Sequence, residues 1–199
     1  MIGVEDRGGL RIITLRRADK ANALTRTMLD MLDTAVAEAV GQALIITGDG
    51  RVFSAGADLE EMQAGLGVDP VWERLSTRIA AFPGLTIAAL NGTLAGGAMG
   101  MALACDLRVA VSGAAFFYPV MRLGFLPQPS DPVRLTALVG PARAKMILMA
   151  GCRIGAEEAL AWGLVDRVAE DVVATATELS ADVLGAPAGH VVAIKRLIG

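Results

Sequence analysis

The sequence predicts an α/β domain, and three observations carry that expectation. Short apolar runs recur along the chain, each of a length suited to a buried strand; glycine-containing turns close them; and the turns lead into helical or small-residue sequence. The order strand, turn, helix start occurs at residues 43–47 before Gly48-Asp-Gly50, and again at residues 86–90 before Asn91-Gly92. Strand, helix, strand along a chain favours parallel pairs crossed by a helix.

At 199 residues, with 54% hydrophobic and 20% charged content, the chain suits one well-buried domain, expected over residues 1–199. A formal net charge of −3 and no basic run argue against nucleic acid or an anionic membrane as partner. Small molecules and copies of the same chain are the expected partners. Cys105 and Cys152 sit in apolar sequence and form no disulfide framework, and residues 1–7 carry acidic groups without an apolar targeting core. Both features point to the cytoplasm. One histidine and two separated cysteines give no metal-ligand pattern, so no metal is expected. No charge occurs between Arg78 and Asp106, but Pro83-Gly84, Asn91-Gly92 and Gly96-Gly97 divide that stretch. Lipid would leave the interrupted backbone unpaired, so the stretch reads as the buried centre of a soluble domain.

In order, residues 3–16 predict an edge hairpin around Gly8-Gly9. Thr25 is placed to cap a helix whose apolar side is Met28, Leu29, Leu32, Val36 and Ala39, stopped by Gly41. A buried strand over 43–47 follows, then a small-residue turn from Arg51 into a short acidic helix start before Met62. Residues 65–70 read as a loop and 71–82 as an amphipathic helix exposing Glu73, Arg74 and Arg78. After the strand over 86–90 and its turn, small-residue helix begins at Gly96-Gly97. Residues 106–111 and 114–118 predict two more strands, and 123–132 a loop too rich in proline for regular structure. Helices are expected over 134–139, 141–149 and 156–162, a last strand over 164–168, and helices over 171–184 and 187–197. No internal repeat of fixed residue period is evident.

A helix N-terminus leaves backbone N–H groups without intrahelical partners, and glycines let a ligand approach them. One Gly-rich turn is equally a tight turn beneath a core helix. Two such turns on neighbouring strands of one sheet would place two sets of free donors on one edge, which is what an oxyanion hole requires.

Several motifs in this order and spacing, Lys20-Ala-Asn-Ala-Leu24, Phe53-Ser-Ala-Gly-Ala-Asp-Leu59, Ile87-Ala-Ala-Leu-Asn-Gly92, Gly96-Gly97, Ala104-Cys-Asp106 and Ala159-Leu-Ala-Trp-Gly-Leu-Val165, resemble the crotonase superfamily, the enoyl-CoA hydratase/isomerase family. The match extends from about Leu10 to Lys195. The resemblance implies a ClpP/crotonase-like spiral of ββα units over residues 1–140, with a C-terminal helical region over 141–199. It also implies a homotrimer or dimer of trimers that binds an acyl-CoA and stabilises its enolate. By position, the oxyanion donors would be the backbone N–H groups of Ala57 and Gly97. Lys20, Ala21, Ala55, Asp58 and Leu59 would lie along coenzyme A, which enters as part of the thioester substrate; no permanently bound cofactor is implied. Lys20 is equally read as solvated surface, and Asp58 as a helix-start residue favoured by the dipole. The family's usual final helices would follow Lys195, so the chain reads as truncated at its C-terminus, with a more open acyl pocket.

The hydratases of this family use two glutamates, and here those positions are Gly100 and Val120. Neither residue transfers a proton. Gln128 stands just after Pro127, where a dienoyl isomerase, a dehalogenase and a decarboxylase of the family place a working polar residue. Asp131 could reach the site if its loop folds back; otherwise it is a turn residue before Pro132. Tyr118, beside Phe116 and Phe117, reads as core, and Glu60, Glu61 and Glu73 as exposed helix surface. His190 lies far in sequence from both turns, and Ser54 lacks a G-x-S-x-G elbow. Gly92 to Gly100 lacks the G-x-G-x-x-G spacing of a dinucleotide site. The expected function is acyl-CoA chemistry needing little side-chain proton transfer: decarboxylation, hydrolysis through an oriented water, or slow isomerisation. A noncatalytic CoA-binding or scaffolding relative is the alternative.

Overall fold

The structure is a computed structural model and describes residues 1–198. It opens on a hairpin, β1 (Ile2–Arg7) and β2 (Leu10–Leu15), paired antiparallel from Ile2 opposite Leu15 to Arg7 opposite Leu10. The turn between them uses Gly8 and Gly9 at φ 54° and 91°, left-handed values that glycine adopts without steric cost. Helix α1 (Arg26–Ala37) starts where the Thr25 hydroxyl accepts the Met28 N–H at 3.2 Å. Its buried face is Met28, Leu29, Leu32, Ala35 and Val36, at helical spacing as expected, but it is capped at Glu38, short of the Ala39 and Gly41 at which it was expected to end.

The chain then repeats one pattern three times. A strand is followed by a second strand and then by helix: β3 (Ala43–Gly48), β4 (Val52–Ser54), α2 (Leu59–Gln63) and α3 (Val71–Ala80). Next come β5 (Leu85–Leu90), β6 (Thr93–Ala95) and α4 (Met99–Ala104), then β7 (Leu107–Ala110), β8 (Ala115–Phe117) and α5 (Val120–Leu123). Helix α6 (Asp131–Leu148), broken at Gly140, leads to β9 (Ile154–Gly155), α7 (Ala156–Trp162) and β10 (Arg167–Val168). The chain closes with α8 (Val172–Leu179), α9 (Ala181–Gly185) and α10 (Ala188–Ile198). Among the described residues no helix is long and apolar enough to cross a membrane.

The first strands of each unit form a six-stranded sheet in the order β1-β2-β3-β5-β7-β10, parallel except at β1. The second strands form a separate sheet, β4-β6-β8-β9. Each unit therefore advances one strand along both sheets, a spiral whose structural repeat has no fixed residue period. The large sheet is buried on both faces. Ile13, Leu15, Leu44, Ile46, Ala88 and Leu90 pack toward α1, α3 and α4, while Ile12, Ile45, Ile87 and Val109 pack toward α8. Burial of both faces is why these strands read as continuous apolar runs.

Three expectations are corrected here. The two glycine turns do not follow β3 and β5 directly, because the chain inserts β4 and β6, three residues each, and the neighbouring strands from which the turns hang are those of the second sheet. The proline-rich segment is shorter than expected: α5 ends at Leu123 and α6 begins at Asp131, with Pro132 in its first turn, where a missing N–H costs nothing. The C-terminal region holds one strand more than expected: the strand expected over 164–168 is β10 in the large sheet, and β9 adds a further one to the small sheet.

Two asparagines of the quoted motifs hold the β3–β4 turn. Asn22, fully buried at φ 51°, accepts the Arg17 N–H through Oδ1 at 2.8 Å and donates from Nδ2 to Asp49 O at 2.9 Å and Val52 O at 2.8 Å. Asn91 accepts the Gly48 N–H at 3.0 Å and donates to Gly50 O at 3.0 Å. Asn22→Ala removes all three bonds of a fully buried side chain at once, so it is expected to cost about 3 kcal/mol. In a thermal melt that is a fall of about 6–12 °C in Tm.

Candidate active site

Strands β4 and β6 are parallel neighbours, so the turns that follow them meet. A Cβ built on Gly56, at φ 96°, would lie 3.0 Å from Ala95 O and 3.5 Å from Gly97 N; one on Gly96, at φ 57°, would lie 3.5 Å from Gly56 Cα. This approach, together with the positive φ values, requires glycine at both positions. Ala57 forms a parallel bridge with Leu24, built from Leu24 N–H to Gly56 O at 2.8 Å and Asp58 N–H to Leu24 O at 2.9 Å. The bonds of that bridge come from the residues flanking Ala57, so its own N–H is left out of it. Gly97 lies in the first turn of the 3-10 segment Gly96–Ala98, where an N–H has no intrahelical acceptor. Among the described residues neither N–H finds a protein acceptor, and both residues line the same narrow cleft of about 40 Å³.

Apolar groups surround these donors. Trp72, Val120, Leu123, Phe125 and Leu126 wall the cleft, with Met62 from α2. Segment 120–128 thus closes over the cleft from within this chain, and the cleft is narrow where an open pocket was expected. Ser54 is a brace, donating to Asn22 O at 2.8 Å and accepting the Gly56 N–H at 3.2 Å. His190 lines a different cavity with Leu85, Asp106 and Lys195, at the end of β5 opposite the glycine turns. There Asp106 accepts from the Thr86 N–H at 2.8 Å and Lys195 Nζ at 2.7 Å, which assigns the Ala104-Cys-Asp106 motif a structural role.

Of the five positions expected along coenzyme A, Ala21 and Ala55 are joined directly, the Ala55 N–H donating to Ala21 O at 3.0 Å. Lys20, Ala55 and Leu59 are exposed, Leu59 by 80%. The Asp58 carboxylate accepts from Arg17 Nη1 at 2.7 Å and from the Glu60 and Glu61 N–H groups at 3.1 and 3.4 Å. The Arg17 hydrogen bond holds its pKa below the usual carboxylate value. Asp58 is thus the N-cap of α2, the helix-start role that the residue type suggested.

Among the polar candidates, Gln128 borders the cleft but makes only a 3.4 Å contact from Nε2 to Gly67 O. Asp131 is not a turn residue. It opens α6, is 1% exposed, and accepts the Tyr118 hydroxyl on Oδ2 at 3.0 Å. Its Oδ1 has no hydrogen-bond partner and lies 2.8 Å from where a Cβ on Gly100 would be. Tyr118 is buried, as expected of a core aromatic, yet it also lines the cleft. The signal for that role was its hydroxyl, because a buried phenol requires a partner. Glu73 and Glu61 are half-buried rather than exposed. Glu73 accepts the Ser130 N–H at 3.2 Å and the Ser130 hydroxyl, tying α3 to the start of α6, and Glu61 accepts the Arg26 N–H at 2.6 Å.

Burial pushes the Asp131 carboxyl up from its ordinary 3.8 to about 7, opposed by the Tyr118 hydrogen bond and the charge of Arg134 and reinforced by Glu73. Burial, then the neighbouring Asp131, raises Tyr118 well above the usual phenol value. Below about pH 4 Asp131 is protonated in both folded and unfolded chains. Between there and about pH 7 the unfolded chain releases the proton and the folded chain keeps it, so stability falls as pH rises, by about 2–4 kcal/mol, and then levels off. Asp131→Asn keeps an acceptor for Tyr118 without the buried charge. Thermal melts are expected to show this variant more stable than wild type at pH 8, with the difference vanishing toward pH 4.

Comparison with known proteins places these features in a wider set. The family model described as enoyl-CoA hydratase/isomerase matches residues 5–198. A Mycobacterium tuberculosis H37Rv protein named probable enoyl-CoA hydratase EchA14 is 37% identical over 194 residues, covering 92% of this chain and 75% of the relative. A 4-chlorobenzoyl coenzyme A dehalogenase of Arthrobacter is 36% identical over 183 residues, covering 84% and 65%. The crystal structure of enoyl-CoA hydratase EchA8_6 from Mycobacterium marinum superposes with a TM-score of 0.90 at 30% identity, covering 99% of this chain and 98% of that one.

Proposed function

This chain belongs to the enoyl-CoA hydratase/isomerase family, the crotonase superfamily, and on that premise we propose that it binds an acyl-CoA thioester and stabilises its enolate between the backbone N–H groups of Ala57 and Gly97. The observation that carries the reading is two backbone donors without protein acceptors on one apolar cleft. As the α-carbon loses a proton or a carboxyl group, charge develops on the thioester oxygen. Fixed donors in a water-poor cleft stabilise that charge with no reorganisation. Coenzyme A enters with the substrate, along Lys20, Ala21, Ala55 and Leu59. Gly100 and Val120 leave the two-glutamate hydration without carriers, so the reaction is decarboxylation, hydrolysis through an oriented water, or isomerisation. Gln128, beside the cleft, is suited to orienting a water or a carboxylate but is a poor base.

Assembly as a homotrimer or a dimer of trimers, in the cytoplasm, completes the proposal. Met121 and Met149, each 59% exposed, border one depression with Phe117 and Pro119, apolar surface that copies of the chain would bury. The reading is tested by incubating an acyl-CoA panel with the protein in heavy water and following products by mass spectrometry. Deuterium at the α-carbon, cleavage or CO2 loss is expected. Calorimetric binding of acyl-CoA with no product would instead favour the second reading, a noncatalytic CoA-binding or scaffolding protein, which Gly100 and Val120 motivate.

A further inference from the structure

Asp131 is a buried carboxylate that the enolate reading leaves without a task. Its Oδ2 takes the Tyr118 hydroxyl at 3.0 Å, its Oδ1 is unpartnered against Gly100, and Tyr118 stands between it and the cleft that Ala57 and Gly97 line. We infer that Tyr118 and Asp131 form a two-residue proton relay into this cleft, with Tyr118 meeting the α-carbon of the thioester and Asp131 holding the proton behind it. The inference rests on the enolate reading, because it supplies the proton transfer which that reading lacks.

The step balances without any further reactant. When the thioester is deprotonated, the α-proton passes to the Tyr118 oxygen while the Tyr118 proton passes to the Asp131 carboxylate. The C–H electron pair becomes the enolate, with its charge on the thioester oxygen. Protonation runs the same transfers backward, and it also completes a decarboxylation, in which CO2 loss leaves an enolate needing one proton. Tyr118 never has to exist as a phenolate, since it gains one proton as it gives up another. Position matters as much as proton affinity. The space beside Gly100, which a side chain on α4 would otherwise fill, is where the Asp131 carboxylate lies. The charged and titratable groups acting on Asp131 are Tyr118 from the end of β8, Glu73 from α3, and Arg134 from its own helix, while α4, whose Gly100 lies against it, carries none. Burial and Glu73 keep the proton on Asp131 up to about neutral pH, so the relay changes state within the range where enzymes operate.

The test follows deuterium entry at the α-carbon of butanoyl-CoA in heavy water for wild type, Tyr118→Phe, Asp131→Asn, the double variant and Ala57→Pro. Tyr118→Phe and Asp131→Asn are each expected to slow exchange about 10²-fold with acyl-CoA binding unchanged. The double variant is expected to be no slower than either single one, as for groups that act as a unit. Wild-type exchange is expected to rise with pH and level off above about pH 7, where Asp131 is ionised, and the residual exchange of Asp131→Asn to lack that inflection. Tyr118→Phe retains the buried ring, so its result stands even if Asp131→Asn alters packing. Exchange lost in Ala57→Pro but kept in both relay variants overturns the relay and leaves the enolate reading intact. Wild-type exchange that survives all of the substitutions overturns both, and its absence from the wild-type protein overturns the relay.

Discussion

Ala57→Pro is expected to lower turnover of an acyl-CoA substrate about 10²–10³-fold, the usual consequence of removing one oxyanion donor. Proline deletes an N–H that has no acceptor among the described residues, so the substitution breaks no hydrogen bond of the fold. The bridge to Leu24 runs through the carbonyl of Gly56 and the N–H of Asp58, both of which remain. Circular dichroism and a thermal melt separate loss of the donor from loss of the fold. Unchanged turnover in a folded variant would remove the hole from the mechanism.

The largest expected effect on stability belongs to Gly92. A Cβ there would stand 1.9 Å from Arg51 O and 2.6 Å from Arg51 C, backbone atoms that no rotamer change can move. Gly92→Ala must separate the turn after β5 from the turn after β3, the two turns that Asn91 also stitches together. We expect a loss of at least about 4 kcal/mol, seen as a collapse of Tm or as insoluble protein. Gly113→Ala, whose Cβ would meet nothing within 4 Å, is the control and is expected to stay within about 0.5 kcal/mol of wild type.

The long strands and α1 were legible because burial leaves a mark on sequence. Ile45, Ile46 and Ile87 are apolar whichever face they take, and Met28, Leu29 and Leu32 recur at helical spacing. The small sheet left no such mark. Strands of three residues such as β4 and β6 are too short to show a period, and β9 has two. The glycine turns were recognisable one at a time, but their convergence depended on that sheet. Pro132 disguised the start of α6, since proline breaks helices in the interior and opens them at the first turn. Glu73 reads as exposed in the sequence for a related reason: its partner, Ser130, lies 57 residues away, and only the fold brings them together.

The carboxylate of Asp131 fits because position 100 carries no side chain, which ties two residues on separate helices into one choice. Adding even a methyl at 100 would meet Oδ1 at 2.8 Å, and a glutamate there would add a second negative charge to a spot already short of water. The fold therefore has room for an acidic group delivered from α4 or from α6, but not from both. Moving the charge between helices takes a paired exchange, Gly100→Glu together with Asp131→Gly. Either change made alone leaves the spot crowded or bare, so the two substitutions are expected to be strongly non-additive in stability and in turnover.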